Sequence, residues 1–207
     1  MFIKDFLLTL IFTTNKLFMI KQNEIINLQD FLEYEDFYDL KSHAKTLNWT
    51  FTSRASAAMP EWHLNCPIYG GMKTPIVDYN QLPEIFRPVL MKLTKEYNVL
   101  IRPYDVYFNA YKFGNEMEIH TDKITKKGFN RTIIMYLTEE WSPQWHGETV
   151  FYDEKKEHIR SSIIPYPNSV VIFDSRIPHT SVPISKFCLE NRIILVFQCE
   201  IEPLDNV

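Results

Sequence analysis

The sequence predicts a mainly β protein with supporting helices. After Asn98 the chain consists of short apolar runs separated by turns, and none of these runs keeps a helical period. Such a pattern is typical of an all-β sandwich or barrel. Before Asn98, two segments carry apolar residues at helical spacing, within residues 34–47 and 83–97. The chain has 207 residues, which is enough for a single sizeable core.

The segment before Asn98 supplies two short strands and the two helices. Ile25 and Ile26 predict a first strand, and residues 49–51 predict a second. The apolar positions of the first helix are Phe37, Leu40, Ala44 and Leu47. The second helix is predicted to begin at Pro83, since proline favours the first helical turn. Its apolar face is formed by Ile85, Phe86, Val89, Leu90, Leu93 and Tyr97. Residues 53–80 are rich in proline and glycine and are predicted to form a loop.

The first residues of the chain differ in character from the rest. Residues 6–12 form an apolar run behind Lys4, which is too short to span a bilayer, and no clear small-residue cleavage site follows. We therefore expect residues 1–18 to be an N-terminal extension outside the core and residues 19–207 to form one domain. A signal peptide, a short anchor and a start of translation at Met19 are the alternatives that the sequence leaves open.

Net charge and cysteine content limit the binding partners and the cellular compartment that we expect. The net charge is −4 and the pI is about 5.9, which argues against binding along a nucleic-acid backbone because such binding needs a basic patch. The cysteines Cys66, Cys188 and Cys199 are odd in number and far apart, so they form neither a zinc motif nor a disulfide framework. We expect a cytoplasmic, reducing location without a nucleic-acid or membrane partner.

Two histidines and one aspartate form a candidate metal site. His120 and Asp122 end the stretch 107–122, which we interpret as a strand, a turn and a second strand. Residues two apart in a strand point to the same face, so the imidazole and the carboxylate can bind one ion. The triplet alone fits a solvated turn equally well. His179 completes a set of two histidines and one carboxylate, which is the ligand set of non-haem Fe(II) oxygenases.

Arg192 is the candidate for binding a cosubstrate. The three-ligand set leaves metal positions open for a chelating cosubstrate and dioxygen. Arg192 begins the strand-like run that ends at Phe197, and no other arginine follows His179. An arginine one strand away can hold a distal carboxylate through two parallel hydrogen bonds, a geometry that lysine does not match.

At these residues the chain resembles the Fe(II)- and 2-oxoglutarate-dependent dioxygenases, in particular the prolyl-4-hydroxylase-like branch. The resemblance covers roughly residues 100–201 and is carried by an ordered set of segments rather than by one motif. These are Tyr111 with Gly114, the pair His120 and Asp122, residues 131–137 ending in Tyr136 and Leu137, residues 145–151 with His146 where glycine is usual, residues 173–179 ending in His179, and Arg192. The loop between His179 and Arg192 is a few residues longer than in the commonest members.

The resemblance implies a double-stranded β-helix, or jelly roll, with the two helices packed on one sheet. It implies Fe(II) on the two histidines and the aspartate, and 2-oxoglutarate with its 5-carboxylate on Arg192. It also implies that the hydroxyls of Tyr111 and Tyr136 contact 2-oxoglutarate. The implied reaction is the hydroxylation of an unactivated C–H bond with dioxygen, which releases succinate and carbon dioxide. Ascorbate is a further candidate cofactor.

The branch indicates a prolyl residue in a peptide or protein as the substrate. Hydroxylation of a free amino acid or another small metabolite is the alternative, because substrate-facing loops vary freely in such folds. Nucleobase demethylases on the same fold carry a further C-terminal arginine, and none follows Arg192. A non-enzymatic binding module has no need of the metal ligands together with Arg192. The sequence does not indicate the oligomeric state.

Overall fold

The computed structural model describes residues 23–53, 62–70, 78–125 and 129–204. The predicted extension, residues 1–18, lies outside the described residues. Within the described ranges, no helix is both long enough and apolar enough to cross a membrane.

Two helices and ten strands form the described part of the chain. The helices are α1 (Tyr34–Lys45) and α2 (Arg87–Tyr97). The strands are β1 (Ile25–Leu28), β2 (Thr50–Ser53), β3 (Trp62–Gly70), β4 (Val99–Tyr111), β5 (Phe129–Tyr136), β6 (Thr149–Tyr152), β7 (Ile159–Ile163), β8 (Ser169–Asp174), β9 (His179–Ser181) and β10 (Arg192–Pro203). A seven-stranded sheet has the order β1-β8-β5-β10-β4-β3-β2, and a three-stranded sheet has the order β7-β6-β9.

The large sheet lies between the helices and the small sheet. Along β5, Ile133 and Met135 belong to the cluster that includes the helices, whereas Ile134 and Tyr136 belong to the cluster that includes Phe151 of the small sheet. The same alternation runs through β4, β8 and β10, because successive side chains of a strand point to opposite faces. The predicted mainly β architecture, with two helices packed on one sheet, is confirmed.

The predicted loop over residues 53–80 was wrong in part. Residues Trp62–Gly70 form β3, which pairs with β2 on one side and with β4 on the other. The ladder with β4 shifts register between Pro67 and Tyr69. Proline cannot donate to a ladder and is tolerated at such irregularities, so Pro67 signalled a break in the pairing rather than the absence of a strand.

Both helices have somewhat different ends from those predicted. Residues Glu84–Phe86 form a single 3-10 turn after Pro83, and α2 begins at Arg87 with Pro88 in its first turn. The first helix ends at Lys45, so Leu47 lies beyond it. The predicted apolar faces are otherwise confirmed, since they supply the buried residues Phe37, Leu40, Ala44, Phe86, Val89, Leu90, Leu93 and Tyr97.

The pair of β4 and β10 forms the centre of the large sheet. Their ladder runs from Arg192 opposite Tyr111 to Pro203 opposite Val99. The register shifts after Gln198, which leaves Tyr104 as an extra residue on β4. This is a β-bulge, an irregularity that bends a strand and redirects its side chains.

Candidate metal and cosubstrate site

The structure brings the three predicted metal ligands together. One ligand atom each from His120, Asp122 and His179 lies within 4.8 Å of the other two. Nε2 of His120 is 3.9 Å from Oδ1 of Asp122, and Nε2 of His179 is 3.6 Å from Oδ2 of the same carboxylate. Two imidazole nitrogens and one carboxylate oxygen thus lie close enough to bind a single ion, as one face of an octahedral metal requires.

The segment that carries His120 and Asp122 is not the regular second strand that the sequence predicted. His120 forms a single antiparallel bridge with His179, in which N of His120 donates to O of His179 over 3.0 Å and N of His179 donates back over 2.8 Å. The backbone N of Asp122 donates to O of Ser175 over 2.9 Å. The bridge places the two imidazoles opposite each other, so the ligands converge without a continuous ladder.

Hydrogen bonds select the ring nitrogen that each histidine presents. Nδ1 of His120 lies 2.9 Å from the carbonyl oxygen of Glu118, and Nδ1 of His179 lies 2.9 Å from that of Ile177. A carbonyl oxygen only accepts, so a neutral ring places its proton on Nδ1 and keeps the Nε2 lone pair for a metal. Burial lowers the pKa of His179, which keeps this ring in the neutral form that binds metals.

Asp122 is held through both of its carboxylate oxygens. Oγ1 of Thr132 donates to Oδ2 over 2.5 Å, and Nε2 of Gln198 donates to Oδ1 over 3.0 Å. The Asp122 side chain is only 6% exposed, so few water molecules can replace these donors. An ionised carboxylate accepts at both oxygens, and the two donors therefore restrain the orientation in which Asp122 faces the two histidines.

Arg192 is buried without an acidic partner. The residue is 1% exposed, and one terminal nitrogen donates to Oγ1 of Thr149 over 2.7 Å. Its guanidinium lies 5.4 Å from the ring centroid of Tyr111 and 5.3 Å from that of Tyr136. Within the described residues, no carboxylate forms an ion pair with it and its Nε has no hydrogen-bond partner. A buried charge normally has a counter-ion, so this arrangement favours an anionic ligand.

The two predicted tyrosines have different positions. Tyr111 lines the cavity that also contains Arg192. Tyr136 is fully buried, and its hydroxyl lies 2.6 Å from Oγ1 of Thr149. Burial raises the pKa of Tyr136, and the charge of Arg192 opposes this rise without cancelling it. The direct contact of both hydroxyls with 2-oxoglutarate stays a prediction.

One cavity is lined by all three candidate metal ligands and by Arg192. It lies between the large and the small sheet, and its remaining wall is formed by Tyr107, Asn109, Tyr111, Met117, Thr132, Ile134, Thr149, Thr180, Ser181, Ile194 and Val196. The same cavity therefore contains a candidate cation site and the buried guanidinium of Arg192. This arrangement suits a ligand that chelates a metal at one end and carries a carboxylate at the other.

Sequence reasoning missed Thr132, Thr149 and Gln198. The signal that could have found two of them is strand parity. Gln198 lies an even number of residues after Arg192 on the same strand, and Thr132 lies an even number before Tyr136, so each shares a face with a predicted site residue. Thr149 begins β6 on the opposite sheet, where no such register with Arg192 can be read from the sequence.

The fold is similar to solved oxygenase structures at low sequence identity. A prolyl-4-hydroxylase of Pseudomonas putida superposes with a TM-score of 0.59 at 14% identity over 91% of this chain and 98% of that one. A Trichoplax adhaerens prolyl hydroxylase in complex with a hypoxia inducible factor peptide fragment superposes with a TM-score of 0.61 at 15% identity, over 91% of this chain and 89% of that one. HygX of Streptomyces hygroscopicus, with nickel, 2-oxoglutarate and hygromycin B bound, superposes with a TM-score of 0.60 at 11% identity, over 90% of this chain and 86% of that one. The predicted jelly-roll fold is confirmed.

Sequence comparison finds one family match, which covers the strands around the site. No curated protein matches the sequence. Residues 106–197, which run from β4 into β10 and include all three candidate metal ligands and Arg192, match the family model described as the 2OG-Fe(II) oxygenase superfamily. Residues 106–197 of this chain are therefore similar to the 2OG-Fe(II) oxygenase superfamily, and the match indicates an oxygenase that uses Fe(II), 2-oxoglutarate and dioxygen.

Proposed function

We propose that this oxygenase hydroxylates a prolyl residue in a peptide or protein. The observation that carries its 2-oxoglutarate-dependent chemistry is the common cavity, in which a triad of metal ligands faces a buried arginine that has no acidic partner among the described residues. The choice of a prolyl substrate is supported by the likeness to two prolyl hydroxylases, one of which was solved with a peptide bound.

The donor set fits Fe(II). Nε2 of His120, Nε2 of His179 and one oxygen of Asp122 would hold the ion, because these atoms face one another and carry free lone pairs. When bound, Fe(II) and 2-oxoglutarate supply oxidative decarboxylation that activates dioxygen for hydroxylation, with succinate and carbon dioxide as co-products.

The deeper part of the cavity fits the distal carboxylate of 2-oxoglutarate. Arg192 would bind the 5-carboxylate, and its hydrogen bond to Thr149 fixes the direction of the guanidinium. Ile134, Ile194 and Val196 contribute apolar walls that limit water in the cavity. Exclusion of water strengthens the charge interaction and protects reactive species from side reactions.

Mass spectrometry of reaction mixtures tests the substrate. The protein is incubated with Fe(II), 2-oxoglutarate and either proline-containing peptides or free amino acids, and succinate is measured in parallel. We expect one added oxygen atom on a prolyl residue, together with an equivalent amount of succinate. Peptides that stay unmodified while a free amino acid gains oxygen would contradict the prolyl proposal but keep the oxygenase chemistry.

A matched pair of histidine variants tests the metal ligands. His179→Ala removes a buried proposed ligand, whereas His158→Ala removes a histidine whose side chain is 80% exposed and bonded to Asp153. We expect the first variant to lose both Fe(II) binding and succinate formation, and the second to retain both. Equal Fe(II) affinity of His179→Ala and the parent would refute the assignment.

Hydroxylation of a small molecule is the second candidate. It is supported by the likeness to HygX, a structure that holds the small molecule hygromycin B together with 2-oxoglutarate. The same mass spectrometry assay separates the two candidates, since free amino acids and other small metabolites are tested beside peptides.

We also propose that residues 19–207 form one catalytic domain to which residues 1–18 do not contribute. A chain that begins at Met19 should fold and form succinate like the full chain, and loss of soluble protein would contradict this boundary. A cytoplasmic, reducing location fits the three cysteines, which are all free and buried.

A further inference from the structure

We propose that Thr132 and Gln198 are positioning residues for Asp122, which fix the orientation of its carboxylate and thereby set the affinity of the site for a divalent metal. This proposal rests on the assignment of Asp122 as a metal ligand. Neither residue is one of the three proposed metal ligands, and the proposed role of each is exerted through Asp122.

The contacts restrain the carboxylate from both sides. Thr132 donates to one oxygen over 2.5 Å and Gln198 donates to the other over 3.0 Å. Both residues are buried, with Thr132 1% and Gln198 4% exposed. Rotation of the carboxylate about its terminal bond would break both hydrogen bonds at once. Each oxygen still keeps a second lone pair, which leaves room for a metal bond.

The backbone of Asp122 needs such support. Asp122 lies outside regular strands, and the adjoining β-bridge at His120 is a single pair. In a continuous ladder, neighbouring residues would fix the direction of the side chain. Here the described backbone contact of Asp122 is one hydrogen bond, to Ser175. Side-chain donors must therefore complete the orientation that the backbone leaves loose.

The β-bulge in the central pair of strands supports this segment from two directions. Gln198 is the last residue of β10 before the register shift and shares the site face with Arg192. Tyr104 is the extra residue on β4, and its hydroxyl donates to the backbone oxygen of Lys123 over 2.7 Å. The bulge thus anchors the residue after Asp122, while Gln198 beside it reaches the carboxylate. Bulges often redirect side chains next to active sites.

The side-chain amide of Gln198 is oriented so that its nitrogen, and not its oxygen, faces Asp122. Nε2 reaches both Asp122 and the hydroxyl of Tyr107, at 3.0 Å and 3.4 Å. Oε1 is buried and has no hydrogen-bond partner in the described part of the chain. A buried acceptor without a partner is unfavourable, so packing alone would favour an apolar side chain here. An amide is needed if the position must supply a donor to a carboxylate.

Titration with Co(II) alone tests the proposal without turnover. The metal-free full chain is titrated and visible absorption of the bound ion is recorded. We expect Thr132→Val and Gln198→Met each to weaken Co(II) binding by about 10- to 100-fold, as loss of partners behind metal ligands typically does. The absorption bands should shift, because the carboxylate is no longer held in one orientation. Thr132→Ser keeps the hydroxyl and should bind Co(II) like the parent.

Thermal unfolding of the metal-free variants separates positioning from a structural role. Thr138→Val is the matched control, because Thr138 is equally buried and donates to the oxygen of Pro165 over 3.0 Å, away from the metal ligands. It should leave Co(II) affinity unchanged. Gln198→Met should unfold no earlier than the parent, since it also removes the unpaired oxygen. A fall in unfolding temperature with unchanged Co(II) affinity in Thr132→Val and Gln198→Met would overturn the proposal.

Asp122→Ala distinguishes this failure from failure of the proposed function. If Asp122→Ala abolishes Co(II) binding while Thr132→Val and Gln198→Met bind like the parent, Asp122 is a ligand but the positioning role is wrong. If Asp122→Ala binds Co(II) like the parent, the metal assignment itself is wrong, and the positioning role falls with it.

Discussion

Replacement of Arg192 tests the cosubstrate site most directly. In the proposed complex the 5-carboxylate of 2-oxoglutarate forms a buried ion pair with Arg192, and removal of one partner leaves the other charge buried and uncompensated. Such a loss typically costs about 3–5 kcal/mol, which corresponds to roughly a hundred- to several-thousand-fold in affinity. Arg192→Met should show this loss in full. Arg192→Lys keeps the charge without the two-pronged geometry and should recover only part of it.

The ligand-free protein should respond differently. Arg192 has no acidic partner among the described residues, so Arg192→Met breaks no internal ion pair. The variant loses one hydrogen bond to Thr149 and the ring contacts with Tyr111 and Tyr136, but it also removes a buried charge. These effects oppose each other, and we expect the metal-free, ligand-free variant to unfold close to the temperature of the parent.

The assay is thermal unfolding of Co(II)-loaded protein at increasing 2-oxoglutarate, with no substrate present. At a concentration of 100 times the parental Kd, the ligand should stabilise the parent by about 2.7 kcal/mol. A variant with a Kd raised about a hundredfold would gain only about 0.4 kcal/mol under the same conditions. Metal content should be unchanged, because Arg192 is not a ligand. Equal stabilisation of parent and Arg192→Met by 2-oxoglutarate would refute the cosubstrate assignment.

Three further substitutions have defined outcomes. Thr149→Val removes the hydroxyl that accepts from Arg192, so the KM for 2-oxoglutarate should rise about tenfold or more, and an unchanged KM would exclude this role. Gly147→Ala should lower the free energy of unfolding more than Gly114→Ala does. Both residues have positive φ, but only at Gly147 would the new Cβ meet a side chain, at 2.9 Å. Denaturant titration of the two variants measures this difference in the free energy of unfolding. Asp174→Asn removes the carboxylate charge from the buried ion pair with Arg131 and should cost about 3–5 kcal/mol. Burial alone would raise the pKa of Asp174, but hydrogen bonds and charges of neighbouring arginines hold it below 3.8. The stability difference between parent and variant should therefore be present above pH 3.8 and vanish as the pH falls further.

The strands that carry the site were predictable where local pattern and burial agree. Val170 to Phe173 and Ile193 to Phe197 are continuous apolar runs, and both became buried strands. The grouping of the proposed metal ligands was predictable from side-chain type, since few other functions need two histidines, a carboxylate and a following arginine in this order. In contrast, β3 was hidden by Pro67, because its irregular pairing depends on β4, which is distant in the sequence.

The residues behind the ligands were less predictable for a physical reason. A threonine or a glutamine on a strand is common and has many uses, so neither type indicates a metal site by itself. Their contacts with Asp122 depend on the path of an irregular segment and on a bulge, and both arise only when distant strands pair. Strand parity limits the candidates to one face of the sheet, but it does not select among them.

The two ends of the cavity differ in how their backbone is held, and hydrogen exchange should detect this. Arg192 begins β10, whose ladders with β4 and β5 are continuous as far as the bulge, whereas His120 and Asp122 each have one backbone N–H bond outside any regular strand. Amides with few cooperative neighbours open at lower free energy. In the metal-free protein we therefore expect the amides of His120 and Asp122 to exchange faster than those of Ile194 and Val196. Co(II) should slow exchange at the first pair far more than at the second, because binding ties the segment of His120 and Asp122 to β9, which carries His179. Equal protection of both pairs before metal addition would contradict this interpretation of the site.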